Sequence, residues 1–198
     1  PLDAKDAEAI KRGVVQLPLT AGAIAVAYNL PGCKLKLSQE QLVQIFEGKI
    51  KNFQQLGCAD QPIQVVVRSD GSGTTYNFTN SLAAFSPSWK KGPGVGKSVN
   101  WPTGVGAKGN EGVAASLLQT KGSIGYVEAA YVRGILQAAA IANRSGSFNL
   151  PDAANASQAL DWLANHRLLA GPSASHHTTP HHITRHHTTP HAYLNSAV

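Results

Sequence analysis

The 198-residue chain predicts an α/β fold, from three features of its sequence. Short β-branched runs such as Ile63-Gln64-Val65-Val66-Val67 alternate with segments whose apolar residues recur at helical spacing, such as Phe78, Leu82 and Phe85. Glycine and proline mark the boundaries, at Pro31-Gly32, Gly48, Gly71 and Gly73. An apolar fraction of 42% with 14% charged residues is that of a globular chain rather than a disordered one.

Asp3–Arg12 is charged and Ala-rich, and predicts a short helix stopped by Gly13. Val14–Leu19 and Ala23–Leu30 predict two strands, the second ending at the turn Pro31-Gly32. Ser38 with Gln41 forms a capping box, so a helix opens there, with Leu42, Ile45 and Phe46 as its buried stripe and Gly48 just past its end. Phe53 and Leu56 close that face before the strand at 63–67. Residues 86–109 are rich in Pro and Gly and predict a long connection. A helix capped by Asn110 follows, with Val113, Leu117 and Leu118 facing the core, and then an apolar run Ile124–Val127. Ala129–Ala142 predicts a helix broken at Asn143-Arg144-Ser145-Gly146, and Ala153–Leu163 another.

The chemistry concentrates in Arg68-Ser69-Asp70-Gly71-Ser72-Gly73-Thr74-Thr75, between the 63–67 strand and the next helix. A strand, a glycine-rich turn and a helix start present free backbone N–H groups and a positive dipole end to an anion. Gly71 and Gly73 let the backbone approach a ligand closely, while Ser72, Thr74 and Thr75 add hydroxyls. Arg68 brings a two-pronged cation. The same letters also fit a plain strand-to-helix turn, with Ser72 as N-cap and Arg68–Asp70 as a surface ion pair.

Two glycine motifs mislead. Lys91-Gly92-Pro93-Gly94-Val95-Gly96-Lys97-Ser98 approximates a nucleotide P-loop, but position 91 is not Gly and Ser86–Lys90 is no buried strand. Gly104-Val105-Gly106-Ala107-Lys108-Gly109 matches the dinucleotide spacing, with Glu128 near the place of a ribose-binding acid. Pro102 interrupts the strand that such a site requires, so a dinucleotide-binding enzyme is the weaker alternative. No nucleophile–base pair and no helical H-E-x-x-H is visible, so no catalytic site is expected.

The formal charge of +6 suits an anionic ligand or surface. Aromatic–basic interleaving is missing, so no nucleic-acid partner is expected. Two cysteines are too few for a four-thiolate metal site. Cys33 and Cys58 either pair, closing a loop of about 26 residues worth ~3 kcal/mol on the chain-entropy model, or remain reduced thiols. No stretch approaches the ~20 apolar residues that span a bilayer, which leaves peripheral membrane association open. Residue 1 is Pro, so any signal peptide lies outside this sequence.

All eight histidines fall at or after position 166. His176-His177-Thr178-Thr179-Pro180-His181 recurs at 186–191, where prolines break any helix. His176, His177, His181, His182, His186 and His187 are the candidate metal ligands, suited to Zn²⁺, Cu²⁺ or Ni²⁺. A His-rich metal-binding protein is thus the alternative function; the competing reading of residues beyond about 165 is an out-of-frame or degraded end.

The 68–75 motif with Asn77-Phe78-Thr79 resembles the signature of the phosphate-binding proteins of high-affinity phosphate ABC transporters. The likeness continues at Ala25–Gly32, Ile45–Phe53, Trp101-Pro102, Gly106–Ala114 and Gly122–Glu128, over roughly residues 1–165. The resemblance implies a periplasmic-binding-protein type II fold, two α/β lobes with phosphate clamped between them, and no cofactor. By the same resemblance, residues 1–19 are a remnant of the first lobe and hinge, 20–165 the second lobe, and 166–198 a His-rich tail outside the fold. It implies that Arg68, Ser72, Gly73 and Thr74 bind phosphate, with Asp70 orienting Arg68 and with Gly71 and Thr75 in support. A further family carboxylate, which selects phosphate over sulfate, would lie before Pro1; weak binding with poor discrimination is the resulting expectation. The implied partners are inorganic phosphate and the ABC transporter membrane subunits, and the implied location is periplasmic or outside the cell membrane, which favours the Cys33–Cys58 disulfide.

Overall fold

The computed structural model describes residues 22–152, together with residue 9 and residues 154–157. The expectations at Asp3–Arg12 and Val14–Leu19, most of the Ala153–Leu163 helix and the six candidate histidines lie outside the described residues. Residues 154–157 are helical.

The chain runs β1 (Ile24–Asn29), β2 (Lys36–Leu37), α1 (Gln39–Phe46), a 3₁₀ turn (Phe53–Leu56), β3 (Gln64–Arg68), α2 (Gly73–Phe85), α3 (Pro87–Lys91), β4 (Val105–Ala107), α4 (Gly109–Gln119), β5 (Ser123–Glu128), a second 3₁₀ turn (Ala129–Tyr131), β6 (Gln137–Ala138), β7 (Ala140–Ala142) and β8 (Phe148–Asn149). Five strands form one sheet in the order β4-β3-β5-β1-β6, and β2-β7-β8 form a small second sheet. β3 is parallel to both β4 and β5, whereas β1 is antiparallel to β5 and β6. All six residues of β1 are buried, as a strand covered on both faces requires.

Side chains divide by face. Val26, Tyr28, Val65, Val67, Ile124 and Tyr126 pack with Leu42, Phe46, Phe78 and Trp89 from α1, α2 and α3. Ala27, Val66 and Val127 pack with Val113, Ala114 and Leu117 of α4 on the opposite side. The crossover β3-α2-β4 therefore covers one face and β4-α4-β5 the other. Right-handed crossovers must do this when the chain reverses direction about β3. Such a reversal opens a crevice at the carboxyl ends of the strands, the usual place for a ligand in an open α/β sheet.

Several expectations hold at residue level. Ser38 and Gln41 form the capping box of α1, and Gly48 follows it at φ 72°. Cys33 and Cys58 are joined in a disulfide with their Cα atoms 5.6 Å apart.

Others fail for physical reasons. Ala129–Ala142 is no helix: after the 3₁₀ turn, Gly134 takes φ 64° and the chain enters β6 and β7. The exposed edge of β1 needs a partner, and Ala27 and Tyr28 pair with Ala138 and Gln137 while Ala139 N–H donates to the Val26 carbonyl at 2.8 Å. That ladder outweighs the helix propensity of alanine. The 86–109 connection contains α3, which Ser86 caps and Pro87 starts, and whose Trp89 is fully buried with its indole N–H on the Gly94 carbonyl at 2.9 Å. Asn110 does not cap α4; Lys108 stands at that position, and Asn110 Oδ1 accepts the Glu128 N–H at 3.2 Å. Leu118 faces outward, 41% exposed.

Both glycine decoys resolve here. Gly106 lies inside β4, so the dinucleotide-spaced glycines build an edge strand instead of a phosphate turn. Residues 92–98 lead into no helix, since the next one begins at Gly109.

Candidate functional site

Sequence dictates the site's position: the Val65-Val66-Val67 run is buried in the sheet and delivers Arg68 to its carboxyl edge. The chain then turns through Ser69–Gly71 into α2, where Ser72 Oγ accepts the Thr75 N–H at 3.2 Å as an N-cap. Ser72 N–H is held by the Lys97 carbonyl at 2.9 Å, which fixes the turn from outside.

Arg68 and Asp70 meet in a two-point pair, Nε to Oδ1 at 2.7 Å and an Nη to Oδ2 at 2.6 Å. Both elements of the plainer turn reading are thus present, an N-cap and an ion pair. The pair is not a loose surface contact, however: the Arg68 side chain is only 9% exposed and that of Asp70 31%. Asp70 Oδ1 also accepts the Gly109 N–H of α4 at 3.1 Å. One carboxylate therefore joins the carboxyl edges of β3 and β4 and brings the N-termini of α2 and α4 together. The Arg68 hydrogen bond, and then the Gly109 N–H, hold the Asp70 carboxyl well below the usual carboxylate range. Asp70 in turn raises the Arg68 guanidinium.

The expected site residues divide into supports and donors. Thr75 and Ser72 are buried and bound within the protein. Among the described residues the N–H groups of Gly73 and Thr74 have no acceptor, as the first turn of a helix leaves them. A Cβ built on Gly71 or Gly73 would meet nothing within 4 Å, so these glycines border open space. The guanidinium keeps N–H donors beyond those that Asp70 takes. Hydroxyl, amide and guanidinium donors on one turn can surround a tetrahedral oxyanion.

Sequence reasoning missed three contributors. Tyr126 on β5 places its hydroxyl against Thr75 Oγ1 and the Arg68 N–H. Gly109 and the Lys97 carbonyl act through the backbone, where side-chain identity gives no signal. Tyr126 sits one period from Ile124 on the buried face, which reads as core and hides the polar role. Among the described residues no group of three or more His, Cys, Asp or Glu side chains is placed to hold a metal ion, and no helix is long and apolar enough to cross a membrane.

The phosphate-binding protein PstS of Xylella fastidiosa is 43% identical over 179 residues, 82% of this chain and 48% of that protein. PstS of Pasteurella multocida is 46% identical over 153 residues, 71% of this chain and 44% of that protein. The chain spans about half the length of these curated relatives. In fold it is similar to a periplasmic phosphate-binding protein (PfluDING) solved with bound phosphate, at TM-score 0.67 and 26% identity over 80% of this chain and 50% of that one. The architecture is that of the periplasmic-binding-protein type II fold. The family model of the PBP superfamily domain matches residues 1–173, and the chain belongs to the PBP superfamily.

Proposed function

We propose that the chain is the solute-binding component of a phosphate uptake system, taking inorganic phosphate at residues 68–74 and passing it to ABC transporter membrane subunits. The observation that carries the reading is the Arg68–Asp70 pair, locked at the carboxyl end of β3 beside the unpartnered amides of Gly73 and Thr74. Relatives bearing the phosphate-binding name align with this chain, and their names describe binding proteins, not enzymes. In this reading Arg68 pairs with the anion and Asp70 holds its fork in plane. Gly73 and Thr74 donate N–H bonds, the Thr74 hydroxyl donates as well, the Ser72 hydroxyl donates its proton while accepting the Thr75 N–H as N-cap, and Gly71 and Thr75 support the turn. Residues 20–165 form the phosphate-binding lobe, with 1–19 belonging to the other lobe and hinge. The protein works in the periplasm or on the outer side of the cell membrane, associating peripherally with its transporter.

Calorimetric titration of the full chain with phosphate and sulfate tests the proposal. Phosphate binds, and Arg68→Glu abolishes binding by placing a carboxylate against the anion, while circular dichroism shows the fold retained. Undiminished binding in that variant would move the site elsewhere.

A further inference from the structure

Tyr126 is fully buried in the aromatic core, and its ring stacks on Phe78 at 4.3 Å and 12°. Packing alone would be met by phenylalanine, and at lower desolvation cost, because a buried hydroxyl must find partners. The partners it finds are specific. The parallel pairing of β3 with β5 ends at Val66 opposite Gly125, so the Arg68 N–H lies beyond the ladder. The Tyr126 hydroxyl accepts that N–H at 3.2 Å and shares a 2.7 Å hydrogen bond with Thr75 Oγ1. Burial raises the Tyr126 pKa above its ordinary value, which keeps the hydroxyl protonated and able to bond both ways.

We propose that Tyr126 is a positioning residue for anion capture: its hydroxyl ties the last residue of β3 to the first turn of α2, setting the distance between the Arg68 guanidinium and the helix-mouth amides. The inference rests on the phosphate reading given above. The intervening residues 69–71 are two exposed and one half-buried, so the chain segment itself supplies little packing to hold that distance. A hydroxyl bound on both sides spans the gap within the core, where it is shielded from water.

The test is Tyr126→Phe in the full chain, which keeps the ring and removes the oxygen. It is read by phosphate calorimetry, thermal melting and amide hydrogen exchange at Arg68. The expected result is a phosphate Kd weakened about three- to ten-fold, part of the worth of the two hydrogen bonds lost. Faster exchange of the Arg68 amide accompanies it. Thr75→Val removes only the Thr75 half of the tether and gives a loss no larger than that of Tyr126→Phe, Thr75→Ser restores affinity, and the double variant Tyr126→Phe/Thr75→Val is no weaker than Tyr126→Phe alone. Should Tyr126→Phe fail to fold, Thr75→Val against Thr75→Ser carries the test. Wild-type affinity in Tyr126→Phe, or lost affinity with unchanged Arg68 exchange, would overturn the inference. A wild-type chain that binds no phosphate would refute the functional reading instead; the Arg68 exchange rate alone would then decide whether the hydroxyl is a tether.

Discussion

Asp70 does two jobs that would normally fall to separate groups: it straightens the Arg68 fork and accepts the first N–H of α4. Removing its charge leaves a largely buried guanidinium without its counterion, so Asp70→Asn should melt at a lower temperature and bind phosphate more weakly. The pH dependence has a definite sign. The folded carboxyl sits below its ordinary value of 3.8, so its contribution is complete above pH 3.8 and is lost as acid lowers the pH through the folded value. Melting curves of wild type and Asp70→Asn should therefore differ at neutral pH and draw together below 3.8. Curves that converged on raising the pH would show that the shift has another origin. Arg68 and Asp70 were readable from sequence because they sit where a β-branched run meets a glycine-rich turn and a helix start. Gly109 was not, because its role is a single backbone N–H supplied from far along the chain.

At the scale of elements, local signals decided what could be foreseen. α1 announced itself by a capping box that the structure reproduces, and β3 by a β-branched run between turn residues. α3 carried the same kind of mark, Ser86 followed by Pro87 at the first helical position, but the surrounding prolines and glycines masked it. β6 and β7 had no local mark at all. Their alanines favour helix; strand is selected by the unpaired edge of β1 for β6 and by β2 and β8 for β7, and β1 and β2 sit over a hundred residues away in the chain. Packing between sheet and α4 yields a separate prediction. A Cβ at Gly125 would lie 2.6 Å from the Val66 carbonyl oxygen and against Val113 and Leu117. Gly125→Ala should cost about 1–3 kcal/mol of stability through overpacking, measured as a lower urea midpoint with an unchanged slope. An unshifted midpoint would mean that β3 and β5 part easily at this point.

For the molecule as a whole, alternating β-branched and helical segments were enough to give the α/β class, but not the strand order. The order β4-β3-β5-β1-β6 mixes parallel and antiparallel neighbours and depends on contacts between distant segments. That order nonetheless sets where the proposed site lies, because placing β4 and β5 on either side of β3 puts Arg68 at the point where the chain reverses direction. The chain carries a formal charge of +6, yet the largely buried Arg68 guanidinium at the carboxyl end of β3 already faces a carboxylate. In the proposed binding mode, oriented N–H dipoles at contact range act beside the already balanced Arg68 fork, and dissolved ions screen such short-range contacts poorly. Raising sodium chloride from about 0.01 M to about 1 M shortens the Debye length from ~30 Å to ~3 Å, but the wild-type phosphate Kd should change by less than about ten-fold. Asp70→Asn, with its cation unbalanced, should lose affinity more steeply across the same series. A receptor built this way would hold its cargo through wide swings in the ionic strength of its surroundings.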